Sequence, residues 1–281
     1  MLSTRRGIRA LSSADLGAFV ELAEREPVVN VFALHRARTT NLEPRWLGGE
    51  MWGRFDGGEL VAACHVAANL VPVCADPESA VAFADRALTR RRTVSTIVGP
   101  QEAVRPLWER VGPAWGSPRE LRWDQRHLEI ARDPEVEPDP EVRLSVRADL
   151  DVLYPACVAM YTEEVGISPE AGGAGDLYRT RVAQLIGRGM SFARFERGEV
   201  VFKAEVACAT TSAAQIQGVW VPPDRRGQGL AAAGMAAVVG YVRAQVAPVV
   251  SLYVNDWNHS ARAVYERVGF VETDRFATVM F

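Results

Sequence analysis

The run Arg225-Arg226-Gly227-Gln228-Gly229-Leu230-Ala231 has the residue types of an anion cradle. Before it, the apolar run Ile216–Val221 reads as a strand, stopped by Pro222 and Pro223. After it, a proline-free run rich in Ala, Val and Met reads as a helix from Leu230 to Ala247. A strand that passes through an Arg/Gly turn into a helix start aims several backbone N–H groups at one point. The helix dipole puts partial positive charge behind them, so the point suits a pyrophosphate. Gly227 and Gly229 let the backbone turn tightly and approach phosphate with no Cβ in the way. Neither the Gly-x-Gly-x-x-Gly dinucleotide fingerprint nor the Gly-Lys-Ser/Thr of a P-loop is present here.

A second group of candidates follows about 30 residues later. Val249–Val254 is β-branched and reads as a strand, Asn255 to Asn258 as a turn, and Ser260–Val268 as a short helix closed by Gly269. Together the two stretches resemble the GNAT N-acetyltransferase superfamily. Arg226, Gly229 and Ala231 fit its Arg/Gln-x-x-Gly-x-Gly/Ala motif, and Asn258, Ala261, Tyr265, Gly269 and Phe270 fit its Asn-x-x-Ala-x-x-x-Tyr-x-x-x-Gly-Phe motif. The resemblance covers roughly Val142 to Phe281.

The resemblance implies acetyl-CoA as cosubstrate, lying where the strands Ile216–Val221 and Val249–Val254 splay apart. Its implied contacts are the backbone of Val219, Trp220 and Val221, the loop Arg226, Gly227, Gln228, Gly229, Leu230 and Ala231, and the side chains of Asn255 and Asn258. Asn258 serves equally well as the N-terminal cap of the following helix. Tyr265 is the implied general acid toward the departing thiolate, with an ordinary phenol pKa near 10 expected to match a thiol. Packing on the inner face of its helix is its other reading.

The general base stays open between Glu164 and Glu205. Glu163-Glu164 stand before Gly166, where the family's substrate-side helix ends, and alternation along Val200–Thr210 puts Lys203 and Glu205 on one face. The strand that often carries the base offers Gln215 and Gln217, which cannot take a proton. No Cys or Ser lies in an evident nucleophile motif, so direct attack by a primary amine in a ternary complex is expected. Two other readings fit the same residues: a non-catalytic acyl-CoA-binding regulator, and an enzyme using a different acyl or aminoacyl donor.

At 281 residues the chain has room for two domains. A net charge of −3 gives no basic excess for nucleic acid. No run approaches 18 apolar residues and the arginine-rich start has no apolar core, so neither a membrane span nor a signal peptide is expected and the cytoplasm is the expected location. Cys64, Cys74, Cys157 and Cys208 show no pairing at metal-ligand spacing, and no metal is expected. The acceptor is expected to be a small-molecule or peptide amine. Of 32 basic residues a single one, Lys203, is lysine.

The acidic, proline-rich stretch 134–141 is the expected linker between residues 1–133 and 142–281. The first half echoes the second. Arg54-Phe55-Asp56-Gly57-Gly58-Glu59-Leu60-Val61 aligns with Arg194-Phe195-Glu196-Arg197-Gly198-Glu199-Val200-Val201, and Trp108-Glu109-Arg110-Val111-Gly112 with Tyr265-Glu266-Arg267-Val268-Gly269. Asn69 to Glu78 holds no Arg-x-x-Gly-x-Gly/Ala, so the first half has lost the cradle. The expected fold is α/β (α+β): tandem GNAT-like domains, each a mixed, mostly antiparallel twisted sheet flanked by helices. The whole chain resembles two-domain actinobacterial GNAT proteins whose N-terminal domain has no assigned function.

Overall fold

A computed structural model describes residues 7–281; the first six residues of the arginine-rich start lie outside it. Two compact units divide the chain. The first takes the described residues to Leu128 together with Tyr253–Asn258 and Glu272–Phe281, and the second takes Glu129–Leu252 and His259–Val271.

Along the first half run β1 (Gly7–Ala10), α1 (Leu16–Ala23), α2 (Val31–Thr40), α3 (Pro44–Leu47), β2 (Glu50–Asp56), β3 (Glu59–Val66), β4 (Asn69–Val73), α4 (Pro77–Leu88), β5 (Thr96–Pro100), α5 (Gln101–Trp115) and β6 (Glu120–Ile130). The second half repeats that order, apart from the short α3, as β7 (Arg143–Leu144), α6 (Leu150–Val165), α7 (Gly175–Gly187), β8 (Ser191–Glu196), β9 (Glu199–Ala209), β10 (Ala213–Trp220), α8 (Leu230–Gln245), β11 (Val249–Asn255), α9 (His259–Val268) and β12 (Val271–Met280). The sheet order is β1-β2-β3-β4-β5-β12-β6 in the first unit and β11-β10-β9-β8-β7 in the second. β4–β5 and β10–β11 pair parallel, and β1–β2, β2–β3, β3–β4, β5–β12, β7–β8, β8–β9 and β9–β10 pair antiparallel.

The C-terminal strand does not stay with its own half. Residues Phe276–Met280 of β12 pair antiparallel with Thr96–Pro100 of β5, and Ala277 and Val279 enter the core that α4 and α5 cover. The compact units therefore differ from a linear cut of the chain. The acidic stretch 134–141 belongs to the second unit: Glu135 N–H donates to the Val268 carbonyl (2.9 Å), Asp139 N–H to that of Ala233 (3.0 Å), and Arg194 pairs with Asp139.

Local sequence sets the repeat. The hairpins turn through Gly57-Gly58 and Arg197-Gly198, all four residues with positive φ, as a two-residue turn between twisted strands requires. Both carry a register shift at the same place, between Arg54 and Phe55 and between Arg194 and Phe195. At the N-terminal ends, Arg9 binds Asp15 and lies over the Phe55 ring, as Arg143 binds Asp149 and lies over Phe195. Each unit buries an apolar layer under its first helices: Phe19, Leu22 and Leu34 in one, Leu153, Cys157, Val182 and Ile186 in the other.

Candidate active site

β10 positions the site. Its parallel pairing with β11 covers Ala213–Gln215 against Val249–Ser251 and ends there, although β10 runs on to Trp220. On its other side, pairing with β9 is interrupted between Gln217 and Trp220. Gly218 has φ +60°, a conformation that favours glycine; a Cβ there would lie 3.1 Å from Lys203 Nζ and from Met160 Cε. The strand thus bulges and leaves Ile216–Trp220 without a ladder partner on the β11 side.

From its end the chain turns through Pro222–Gln228 into α8. The N-cap of α8 is Gly229 (φ +81°), which has no side chain with which to satisfy the helix's first N–H groups. Arg226, Gly227, Gln228 and Gly229 are all exposed, and a Cβ on either glycine would meet nothing within 4 Å. These residues fit a pyrophosphate-bearing cosubstrate: a helix start without a side-chain cap, the positive end of a 16-residue helix and open space above the glycines. Arg226 itself is held by the Val221 carbonyl (3.1 Å) and by Glu163 (2.7 Å), which also accepts from the Trp220 indole (3.1 Å). The Arg226 guanidinium keeps the Glu163 carboxyl below the usual carboxylate range.

The three candidates for proton transfer lie in the second unit. Tyr265 is buried on α9, its ring 5.8 Å from that of Phe270. Burial, and then the negative charge of Glu164, hold its phenol well above the usual range. The ordinary phenol acidity expected from the sequence therefore does not hold: the hydroxyl keeps its proton more firmly than a free phenol. Glu164 is exposed at the C-terminal end of α6, next to the turn at Gly166. Glu205 is buried and committed: Lys203 Nζ lies 2.8 Å from its Oε1, Gln217 Nε2 donates to Oε2 (3.3 Å), and the Cys157 thiol lies 3.8 Å from Oε1. Burial pushes the Cys157 and Cys208 thiols up to about 12, so both stay protonated at neutral pH.

Asn255 and Asn258 are grouped with the first unit. Gln125 Nε2 donates to Asn255 Oδ1 at 2.9 Å, and Asn258 stands directly before α9. Lys203 is the member of the site whose role the sequence left open. Its being the sole lysine on an inner strand was the signal.

The first unit has the same frame without these parts. By hairpin register, Gly53↔Ala63 and Met51↔His65 stand where Ala193↔Lys203 and Ser191↔Glu205 stand. β4 pairs with β3 from Ala63↔Val73 to Val66↔Leu70 with no register shift. The parallel β4–β5 ladder covers only Asn69↔Thr96 and Leu70↔Ile97, and beyond it Pro72 lies 3.3 Å from where a Cβ of Gly99 would be. Asp76 caps α4 by accepting from Ser79 N–H (2.8 Å).

A bulged strand leading through an Arg/Gly turn to a glycine-capped helix is a frame that suits a phosphate-bearing ligand. Residues 176–270 match the model of the acetyltransferase (GNAT) family, and residues 49–153 match a domain of unknown function, DUF4081. Residues 176–270 thus carry a GNAT-family acetyltransferase segment, and it follows that domain in the chain. Similar solved structures include a GNAT-family acetyltransferase from Colwellia psychrerythraea (14% identity, TM-score 0.60, covering 98% of this chain and 99% of that one). Others are a GCN5-related N-acetyltransferase from Sphaerobacter thermophilus (20%, 0.57, 99% and 96%) and a tandem GNAT protein from the clavulanic acid biosynthesis pathway (16%, 0.57, 98% of each). At these identities the likeness establishes the fold. No match to a curated protein was found. The family match supports an acyl-CoA-dependent acyltransferase activity. Among the described residues, no helix is long and apolar enough to cross a membrane, and no group of three or more His, Cys, Asp or Glu could hold a metal ion.

Proposed function

We propose that this chain is an N-acetyltransferase that uses acetyl-CoA and a primary amine in one ternary complex, with its working site in 142–281 and a degenerate unit in 1–133. The observation that carries this reading is the glycine-capped start of α8 at the end of the bulged β10. Bound there, acetyl-CoA would supply an activated acyl group as a thioester. The backbone N–H groups of Gly227 to Ala231 would hold its pyrophosphate, and the backbone of Val219, Trp220 and Val221 its pantetheine arm.

The remaining work falls to side chains of the second unit. Glu164 is the better-placed base: it is exposed at the end of α6 and its charge is felt by Tyr265. A carboxylate there can take the proton that an ammonium must lose before it becomes a nucleophile. Tyr265, firmly protonated, would donate a hydrogen bond to the departing sulfur. Both buried thiols near the strand are held protonated, which favours direct transfer to the amine over an acyl-enzyme. The acceptor, on this reading, is a small molecule or peptide carrying a primary amine.

The test is heat stability with and without acetyl-CoA. A ligand that binds only the folded state at 100 times its Kd adds about 2.7 kcal/mol. Gly229→Glu, which puts a carboxylate into the cradle and a Cβ at positive φ, is expected to abolish the shift. An unchanged response in that variant would remove the cradle from this loop.

A further inference from the structure

The sole lysine of the chain is fully buried and makes two contacts: 2.8 Å to Glu205 Oε1 and 2.9 Å to the Gly218 carbonyl. The second contact has a structural reason. Gly218 lies inside the interruption of the β9–β10 ladder, between the pairs Gln217↔Glu205 and Trp220↔Lys203, so its carbonyl has no strand partner. Even a half-buried carbonyl left without a donor is costly, and Lys203, itself fully buried, reaches it from the neighbouring strand. Burial works against the ammonium, but the Glu205 charge, Cys157 and the hydrogen bond to Glu205 together outweigh it and hold Lys203 in its charged form. The first unit supplies an internal control. Ala63 occupies the register position of Lys203, and there β3 and β4 pair without interruption.

We propose that Lys203, neutralised by Glu205, is a positioning residue that props the β10 bulge. It takes the Gly218 carbonyl so that the strand's other edge stays free for the donor's pantetheine arm. Glu205 is then half of a strut and not the general base. The inference rests on the acyl-CoA reading above and assigns the pair a role within it.

A buried ion pair is weak ground for a stability role, since replacing both partners with uncharged groups of similar size is often neutral. That makes the double variant Lys203→Met with Glu205→Gln informative. Two ligands separate the parts of the site by calorimetry. Adenosine 3′,5′-bisphosphate reaches only the loop, and acetyl-CoA also lies along β10. The double variant is expected to unfold cooperatively, to bind the nucleotide as the wild type does, and to bind acetyl-CoA about tenfold more weakly, the worth of one or two backbone hydrogen bonds. Should it fail to fold, Gly218→Ala disturbs the same bulge without removing a charge, its Cβ pressing on Lys203 Nζ, and is expected to show the same selective loss. Wild-type affinity for acetyl-CoA in these variants overturns the strut. So does equal loss of both ligands, which would make the pair a general scaffold. Failure of the wild type to bind either ligand ends the acyl-CoA reading and the strut with it. Loss of the base-dependent limb of the pH–rate profile in Glu205→Gln, with acetyl-CoA affinity intact, would make Glu205 the base instead.

Discussion

The two units share hairpin register, element order and N-terminal Arg–Asp clamps, yet differ wherever a phosphate or a thioester would have to be met. In the first unit Asp76 fills the helix start with its own carboxylate; in the second Gly229 leaves it open. The parallel ladder ends early in both, β4–β5 after two pairs and β10–β11 after three, but in the first Pro72 packs against Gly99. Ala63 and His65 replace Lys203 and Glu205, and Trp108, packed against Phe281, replaces Tyr265 by the helix alignment. The lesson is that the sheet survives loss of the site because different residues carry them. Inward apolar residues hold the frame, while the site depends on a few positions where the backbone departs from a regular ladder.

The largest effect that could break this contrast is stoichiometry. Calorimetry of the full chain is expected to find one acetyl-CoA per molecule, lost in Gly229→Glu; a second site surviving in that variant would place a working cradle in the first unit. Next, Tyr265→Phe is expected to leave acetyl-CoA affinity nearly unchanged and to lower kcat by about 10²-fold, within the range of general acid catalysis. Unchanged turnover would make Tyr265 a packing residue like its counterpart Trp108. Glu164→Gln is expected to remove the base-dependent limb of kcat/KM against pH, where Glu205→Gln leaves it in place.

A smaller effect separates the buried groups that share a register position. Burial, with the Arg36 charge adding to it, lowers the His65 imidazole from its ordinary 6.5 to about 4. The folded state thus binds the proton less well than the unfolded one. The stability involved is fully present above pH 6.5 and is lost as pH falls toward 4. At pH 5 the loss is about 2 kcal/mol, at ~1.4 kcal/mol per unit. Buried His127, also lowered to about 4, adds a drop of the same sign. Denaturant titrations of His65→Leu between pH 7 and pH 5 are expected to show a shallower decline than the wild type; an identical slope would refute the buried neutral imidazole. The smallest effect is at the cap: Asp76→Ala is expected to cost about 1 kcal/mol, with no gain of acetyl-CoA binding.

Much of this was legible in the residues. The strand, loop and helix around Arg226 to Ala231 fall where the Pro222-Pro223 stop and the proline-free run put them, with β10 and α8 within a few residues of the expected ends. Both Gly turns and the repeat behind them could be read because a two-residue hairpin turn admits few residue types. The ordinary phenol acidity expected of Tyr265 could not survive, since it depends on how deeply α9 is packed and on a carboxylate a hundred positions away.

The sequence by itself determined what is local: where strands and helices start and stop, the positive-φ turns, and an N-terminus of α8 with glycine at its cap. Only the tertiary structure decided what depends on residues far apart in the chain. It tied Arg226 to Glu163, sealed Glu205 against Lys203 and gave the Gly218 carbonyl its donor. It also sent β12 to pair with β5 in the first unit. Spacing along a chain can specify a turn, because a turn is made by its own residues. A buried charge, a bulge or a strand pairing is fixed by partners that meet only after the chain has folded, and no local pattern encodes them.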